Sequence, residues 1–67
     1  MNLKIILGQN IVAYRKKCGM TQQVLAHLAD ISISHLRNIE HGSGNTTVDM
    51  LERIARSLEV HPSDLLK

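Results

Sequence analysis

Apolar residues recur in this chain at intervals of three and four, and no stretch alternates apolar with polar. That pattern rules in helices and rules out a sheet, because a strand shows its two faces at a period of two. Leu3, Leu7, Ile11, Tyr14 and Cys18 share one face of a first helix, which Gly19 ends. Thr21 offers an N-cap oxygen to a short second helix, about Gln22 to Ala29, with Val24, Leu25 and Leu28 on its inner face and Ala26 and Ala29 permitting close approach. Asp30 and Ile31 form a brief turn, and Ser32 caps a third helix that carries Leu36 and Ile39 inward until Gly42. The run Gly42-Ser43-Gly44-Asn45-Thr46 is a loop. Thr47 or Thr46 caps a fourth helix with the stripe Val48, Leu51, Ile54, Ala55 and Leu58, and Pro62 suits the first turn of a short fifth helix ending in Leu65 and Leu66. The expected class is all-α: a compact five-helix domain spanning residues 1–67.

Such a short domain buries only about 60% of the surface its unfolded chain exposes, so self-association would help it. Tyr14 is the sole aromatic residue, and the core must be assembled from Leu, Ile, Val, Ala and Met. Eight Lys and Arg against six Asp and Glu give a net charge of +2, too little to identify a nucleic-acid binder by itself. The pairs Asp49 with Arg53 and Glu52 with Arg56 are expected to cancel at helical i,i+4 spacing. Lys4, Lys16, Lys17 and Arg37 remain as uncompensated cations.

Several function classes find no support. Cys18 stands alone, so no internal disulfide forms, and it reads as a small hydrophobe on the inner face of helix 1. A reducing cytoplasm is the expected compartment. Leu3 to Leu7 is too short and too interrupted for a signal core or a membrane span. His27, His35, His41 and His61 lack metal-ligand spacing, so no metal is expected. No nucleophile, base and carboxylate grouping and no Gly-rich phosphate loop is present, so neither an enzyme nor a cofactor or small-molecule ligand is expected.

What the order of elements does supply is two short helices joined by a tight turn, with small Ala26 inside the first and Ile31 plugging the turn. This is the geometry of a helix-turn-helix, which places its second helix in the DNA major groove. The outward side of that helix, about residues 32–41, carries Ser32, Ile33, Ser34, Arg37, Asn38 and His41. Asn38 suits adenine and Arg37 suits guanine or a phosphate, whereas Ile33 offers apolar contact to a thymine methyl and Ser34 is permissive.

The ordered motifs GMTQ, LA, IEHG and LERIARSLEVHPSDLL, within Leu7 to Leu66, resemble the Cro and phage-repressor-like (XRE) helix-turn-helix regulators. The resemblance implies a lambda-repressor-like fold, makes Ile33, Ser34, Arg37 and Asn38 the expected base contacts, and places Gln22 on a backbone phosphate, where helix N-terminal amides also favour an anion. It implies a structural pair of Arg15 with Glu40 and brings the loop after helix 3 near phosphates. Ser32, His35, Ser43, Asn45, Lys16 and Lys17 complete the expected phosphate contacts. Asp30 stands where many relatives have Gly, and Val12 and Ala13 stand where basic residues are common. Among short members, GSGNTTVDMLERIARSLEV looks most like restriction-modification controller proteins.

The expected assembly is a homodimer on a pseudo-palindromic operator, with Met50, Val60, Leu65 and Leu66 at its interface. A protein partner such as RNA polymerase or a toxin is a further expectation, and no membrane is. The alternative is a protein-interaction module, antitoxin-like or adaptor, that uses the same fold without reading DNA.

Overall fold

A computed structural model describes residues 2–67. Four α-helices follow one another: α1 (Leu3–Lys17), α2 (Gln22–Ala29), α3 (Ile33–Glu40) and α4 (Val48–Ser57). The fifth element, Pro62–Leu66, is a 3-10 helix rather than the expected α-helix. Five residues opened by a proline leave little room for an i to i−4 ladder, and short segments of this kind adopt the tighter i to i+3 turn. Here the Asp64 N–H donates to the His61 carbonyl at 2.9 Å.

Each start is fixed by a side-chain cap. The Thr21, Ser32 and Thr47 hydroxyls accept from the N–H groups of Val24, His35 and Met50 at 3.2, 3.0 and 3.0 Å. Asn2 caps α1 in the same manner through Lys4 N–H. The ends are equally uniform. Each α-helix closes with a left-handed residue, followed by an N–H that reaches back five positions: Met20 to Arg15, Ile31 to Ala26, Ser43 to Asn38 and Val60 to Ala55. Gly19 and Gly42 supply that residue for α1 and α3, while Asp30 (φ 56) and Glu59 (φ 59) supply it for α2 and α4. Asp30 thus takes a left-handed backbone of the kind that favours glycine.

The core gathers Leu7 and Ile11 of α1, Leu25, Ala26 and Ala29 of α2, Leu36 and Ile39 of α3, Ile54 and Ala55 of α4, and then Leu58 and Leu65. α1 packs on α3 and on the 3-10 helix, and α2 packs on α3 and α4. Several expected inner residues instead lie outside. In α2 the buried stripe is Leu25, Ala26 and Ala29, which turns Val24 and Leu28 to the flank and leaves Leu28 54% exposed. Leu3 and Val48 sit in first turns and are also exposed, as is Cys18 just beyond α1.

One expected dimer residue is corrected by the same packing. Leu65 is 0% exposed, because it closes the core beneath α1 and α4, and so it has no surface to offer a partner. Asn10 secures this end by donating to the carbonyls of Leu65 (2.9 Å) and Lys67 (3.2 Å). Arg53 does pair with Asp49 (3.4 Å), and its guanidinium also reaches the Asp30 carbonyl (3.2 Å) in the turn between α2 and α3. Among the described residues no ion pair joins Glu52 to Arg56.

Candidate nucleic-acid interface

The outer face of α3 is set by what its inner face buries. Leu36 and Ile39 point into the core, and the helix period then turns Ser34, Arg37 and Asn38 to solvent. Ile33 is only half-buried, packed against the core from the first turn, so less of it faces outward than the sequence suggests. Ser32 is exposed while its hydroxyl caps the helix, and His41 is exposed at the far end.

Behind this face lies an ion pair in two-point contact. Arg15 Nε donates to Glu40 Oε2 at 2.8 Å and its Nη2 to Oε1 at 3.1 Å, while Nη1 donates to the Met20 carbonyl at 3.0 Å. The two side chains are 11% and 5% exposed, so the end of α3 is fastened to the end of α1 out of solvent. Gln22, at the start of α2, joins the cluster: its Nε2 donates to Glu40 Oε1 at 2.9 Å, and its Oε1 accepts from Arg37 Nε at 3.4 Å. The sequence assigned Gln22 and Arg37 to DNA separately and carried no sign that they meet.

The loop after α3 is folded back onto that helix. The Ser43 hydroxyl donates to the Asn38 carbonyl (3.2 Å), and the Gly44 N–H donates to the same oxygen (3.1 Å). Gly44 lies so near α3 that a Cβ would stand 3.0 Å from the Ile39 nitrogen. His35 Nε2 meets the Asn45 carbonyl at 2.8 Å, an acceptor that requires the proton on that nitrogen. Asn45 Oδ1 in turn accepts from Lys4 Nζ at 2.8 Å. Ser43, Asn45 and His35 therefore stand together beside α3, and Lys4 joins them although its role in the loop was not foreseen.

Lys16 and Lys17 are exposed in the last turn of α1. Met50 and Val60 are half-buried, Val60 against the core, and Leu66 is exposed. Among the described residues no group of three His, Cys, Asp or Glu side chains could hold a metal ion. None of the described helices is long and apolar enough to cross a membrane.

A family model described as helix-turn-helix matches residues 11–65, a stretch that includes α2, the Asp30 turn, α3 and α4. The chain belongs to the helix-turn-helix family. Among relatives of this helix-turn-helix protein is control protein C.BamHI of Bacillus amyloliquefaciens, 35% identical over 66 residues that cover 97% of this chain and 82% of that one. The restriction-modification controller protein C.AhdI from Aeromonas hydrophila has a similar structure, with a TM-score of 0.89 at 26% identity, covering 92% of this chain and 94% of its own. The controller protein C.Esp1396I superposes with a TM-score of 0.87 at 31% identity, over 97% and 84% of the two chains. The helix-turn-helix protein is a DNA-binding transcription regulator, in a family of regulators rather than enzymes.

Proposed function

We propose that this regulator is of the restriction-modification controller kind and acts as a homodimer on a pseudo-palindromic operator, with α3 in the major groove of each half-site. One observation carries the reading: Ser34, Arg37 and Asn38 stand open on a helix that the Arg15 and Glu40 pair fixes from behind. A fixed helix with exposed polar side chains is what base readout needs, since each good bidentate contact is worth about 1 to 3 kcal/mol of discrimination. Gln22, Ser32, His35, Ser43, Asn45, Lys16 and Lys17 flank that helix as the phosphate-contacting set, and Ile33 adds a thymine contact through whatever part of its side chain remains open. The similarity to C.BamHI and C.AhdI over most of each chain supports the controller branch.

Met50, Val60 and Leu66 are the dimer surface in this reading, on α4 and the segment beyond it. Two copies joined there present their α3 helices to successive major grooves about 34 Å apart. RNA polymerase is a partner of this reading, and the cytoplasm is its compartment.

Selection of bound sites from random DNA, with sedimentation of the complex, tests the proposal. A symmetric pair of half-sites and a 2:1 complex are expected. A single half-site bound by a monomer at micromolar concentration overturns the dimer.

A second reading has its own observation: Val24 and Leu28 are exposed side by side on α2. An interaction module with a protein partner such as a toxin would use such a flank. Titration at two salt concentrations separates the readings, because a phosphate-contacting binder weakens steeply with salt and an apolar contact does not.

A further inference from the structure

A polar chain runs from the interior to the reading face: Arg15, Glu40, Gln22 and Arg37. A carboxylate can only accept hydrogen bonds, so Glu40 obliges Gln22 to turn its Nε2 inward. The amide oxygen of Gln22 is thereby forced outward, toward α3. There it meets the Nε–H of Arg37, the one exposed arginine of the reading helix. Glu40 cannot swing away, because Arg15 holds both of its oxygens in a site almost closed to water.

We infer that Gln22 is a positioning residue for base recognition: oriented by Glu40, it anchors the Nε edge of Arg37 so that the guanidinium meets DNA end-on through Nη1 and Nη2. This deepens the proposed function and rests on its reading that Arg37 contacts a base. An unrestrained arginine can present either its Nε and Nη edge or its Nη1 and Nη2 end to guanine O6 and N7, and it loses rotamer freedom on binding. Tying Nε removes the first option and part of that loss before DNA arrives. The second N–H of Gln22 Nε2 stays free, so the same residue can still grip a phosphate. The two roles differ in their signature: a phosphate contact acts on all sequences alike, whereas positioning of Arg37 acts on one base pair.

The test compares Gln22→Met, Arg37→Ala, Arg37→Lys and the double variant Gln22→Met with Arg37→Ala, using sites selected from random DNA. Arg37→Ala is expected to lower guanine preference at one operator position about tenfold. Gln22→Met is expected to lower preference at the same position about fivefold, and to take nothing further from it in the double variant. Arg37→Lys keeps the charge but lacks Nε and the planar fork, and it should behave as Arg37→Ala does. Because Arg37 is exposed, its variants fold whatever becomes of Gln22→Met. Uniform weakening by Gln22→Met on every sequence, with guanine preference intact, overturns the inference and leaves a phosphate contact. If Arg37→Ala leaves every base preference unchanged, the base-reading role of Arg37 falls and the inference falls with it. A readout without DNA tells the two failures apart: the Nε–H resonance of Arg37 in the free protein should exchange slowly with water, and faster in Gln22→Met. Equal, fast exchange in both proteins overturns the anchoring itself.

Discussion

Gly8 in α1 faces the carbonyl oxygen of Ile39 in α3 across a gap with no space for a methyl group: a Cβ on Gly8 would stand 2.5 Å from that oxygen, and 2.6 Å from the Glu40 carbonyl oxygen. Both obstacles are backbone, so neither can rotate aside. The close approach is what lets Arg15 of α1 reach Glu40 at the end of α3.

Gly8→Ala should therefore destabilise the fold, against the usual helix preference. Alanine gains about 1 kcal/mol over glycine in a helix interior, but forcing α1 from α3 costs about 3 kcal/mol, at the upper end for overpacking. The denaturant midpoint should fall by the difference. A rise would mean that the two helices part freely.

Removing one member of the buried pair should cost more than removing both. Glu40→Ala leaves the Arg15 guanidinium without its counter-charge in a site nearly closed to water, at a cost of about 3 kcal/mol. Arg15→Met combined with Glu40→Leu should recover most of that loss, because no charge is then stranded. Urea unfolding of the two variants beside the parent protein checks the order.

Glu59→Gly should stabilise. Glu59 holds φ 59 beyond α4, and no ion pair among the described residues involves it. Relief of the left-handed backbone outweighs the extra freedom glycine gives the unfolded chain, for a net gain of about 0.5 to 1 kcal/mol. Asp30 differs, since Arg53 holds both its carbonyl and its carboxylate. A thermal scan that moves up for Glu59→Gly distinguishes the two left-handed sites.

Acid should loosen the 3-10 helix. The hydrogen bond from Lys67, aided by the His61 N–H, holds the Asp64 carboxyl below its ordinary 3.8 against an opposing desolvation. A depressed folded value means that the contribution is present above 3.8 and is lost as pH falls through that lower value. An NMR titration should place the Asp64 midpoint below 3.8, and Lys67→Ala should move it upward.

Asn38→Ala should relax the preference at one base position. Lys16→Ala and Lys17→Ala should instead weaken binding to all sequences alike, each lowering the slope of log affinity against log salt by about one. Site selection and salt titration read the two effects separately.

The elements were largely legible because their boundaries are local chemistry: Thr21 and Ser32 as caps and Gly19 and Gly42 as stops act within a few residues of themselves. Glu59 escaped notice because a charged residue carries no mark of a left-handed turn. Leu65 and Leu66 were indistinguishable in sequence, since a segment of five residues has too little period to tell its inner side from its outer. The short α2 gave Val24 and Leu28 the same ambiguity. The crowding at Gly8 depends on where two helices cross, and the link from Gln22 to Arg37 depends on a carboxylate eighteen positions from Gln22. Such facts belong to the assembled chain.

The bond from Asn10 to the Leu65 carbonyl joins residues 55 apart, and so makes a ring of nearly the whole described chain. Closing a loop of that length costs roughly 3.5 kcal/mol in chain entropy beyond a fixed constant. The ring therefore shuts only when the packing of Ile11, Ile54 and Leu65 shuts with it. α3 lies inside the closed part, with α1 packed on one side and α2 on another. The reading helix has no free end from which to fray, and its order lasts as long as that of the whole ring.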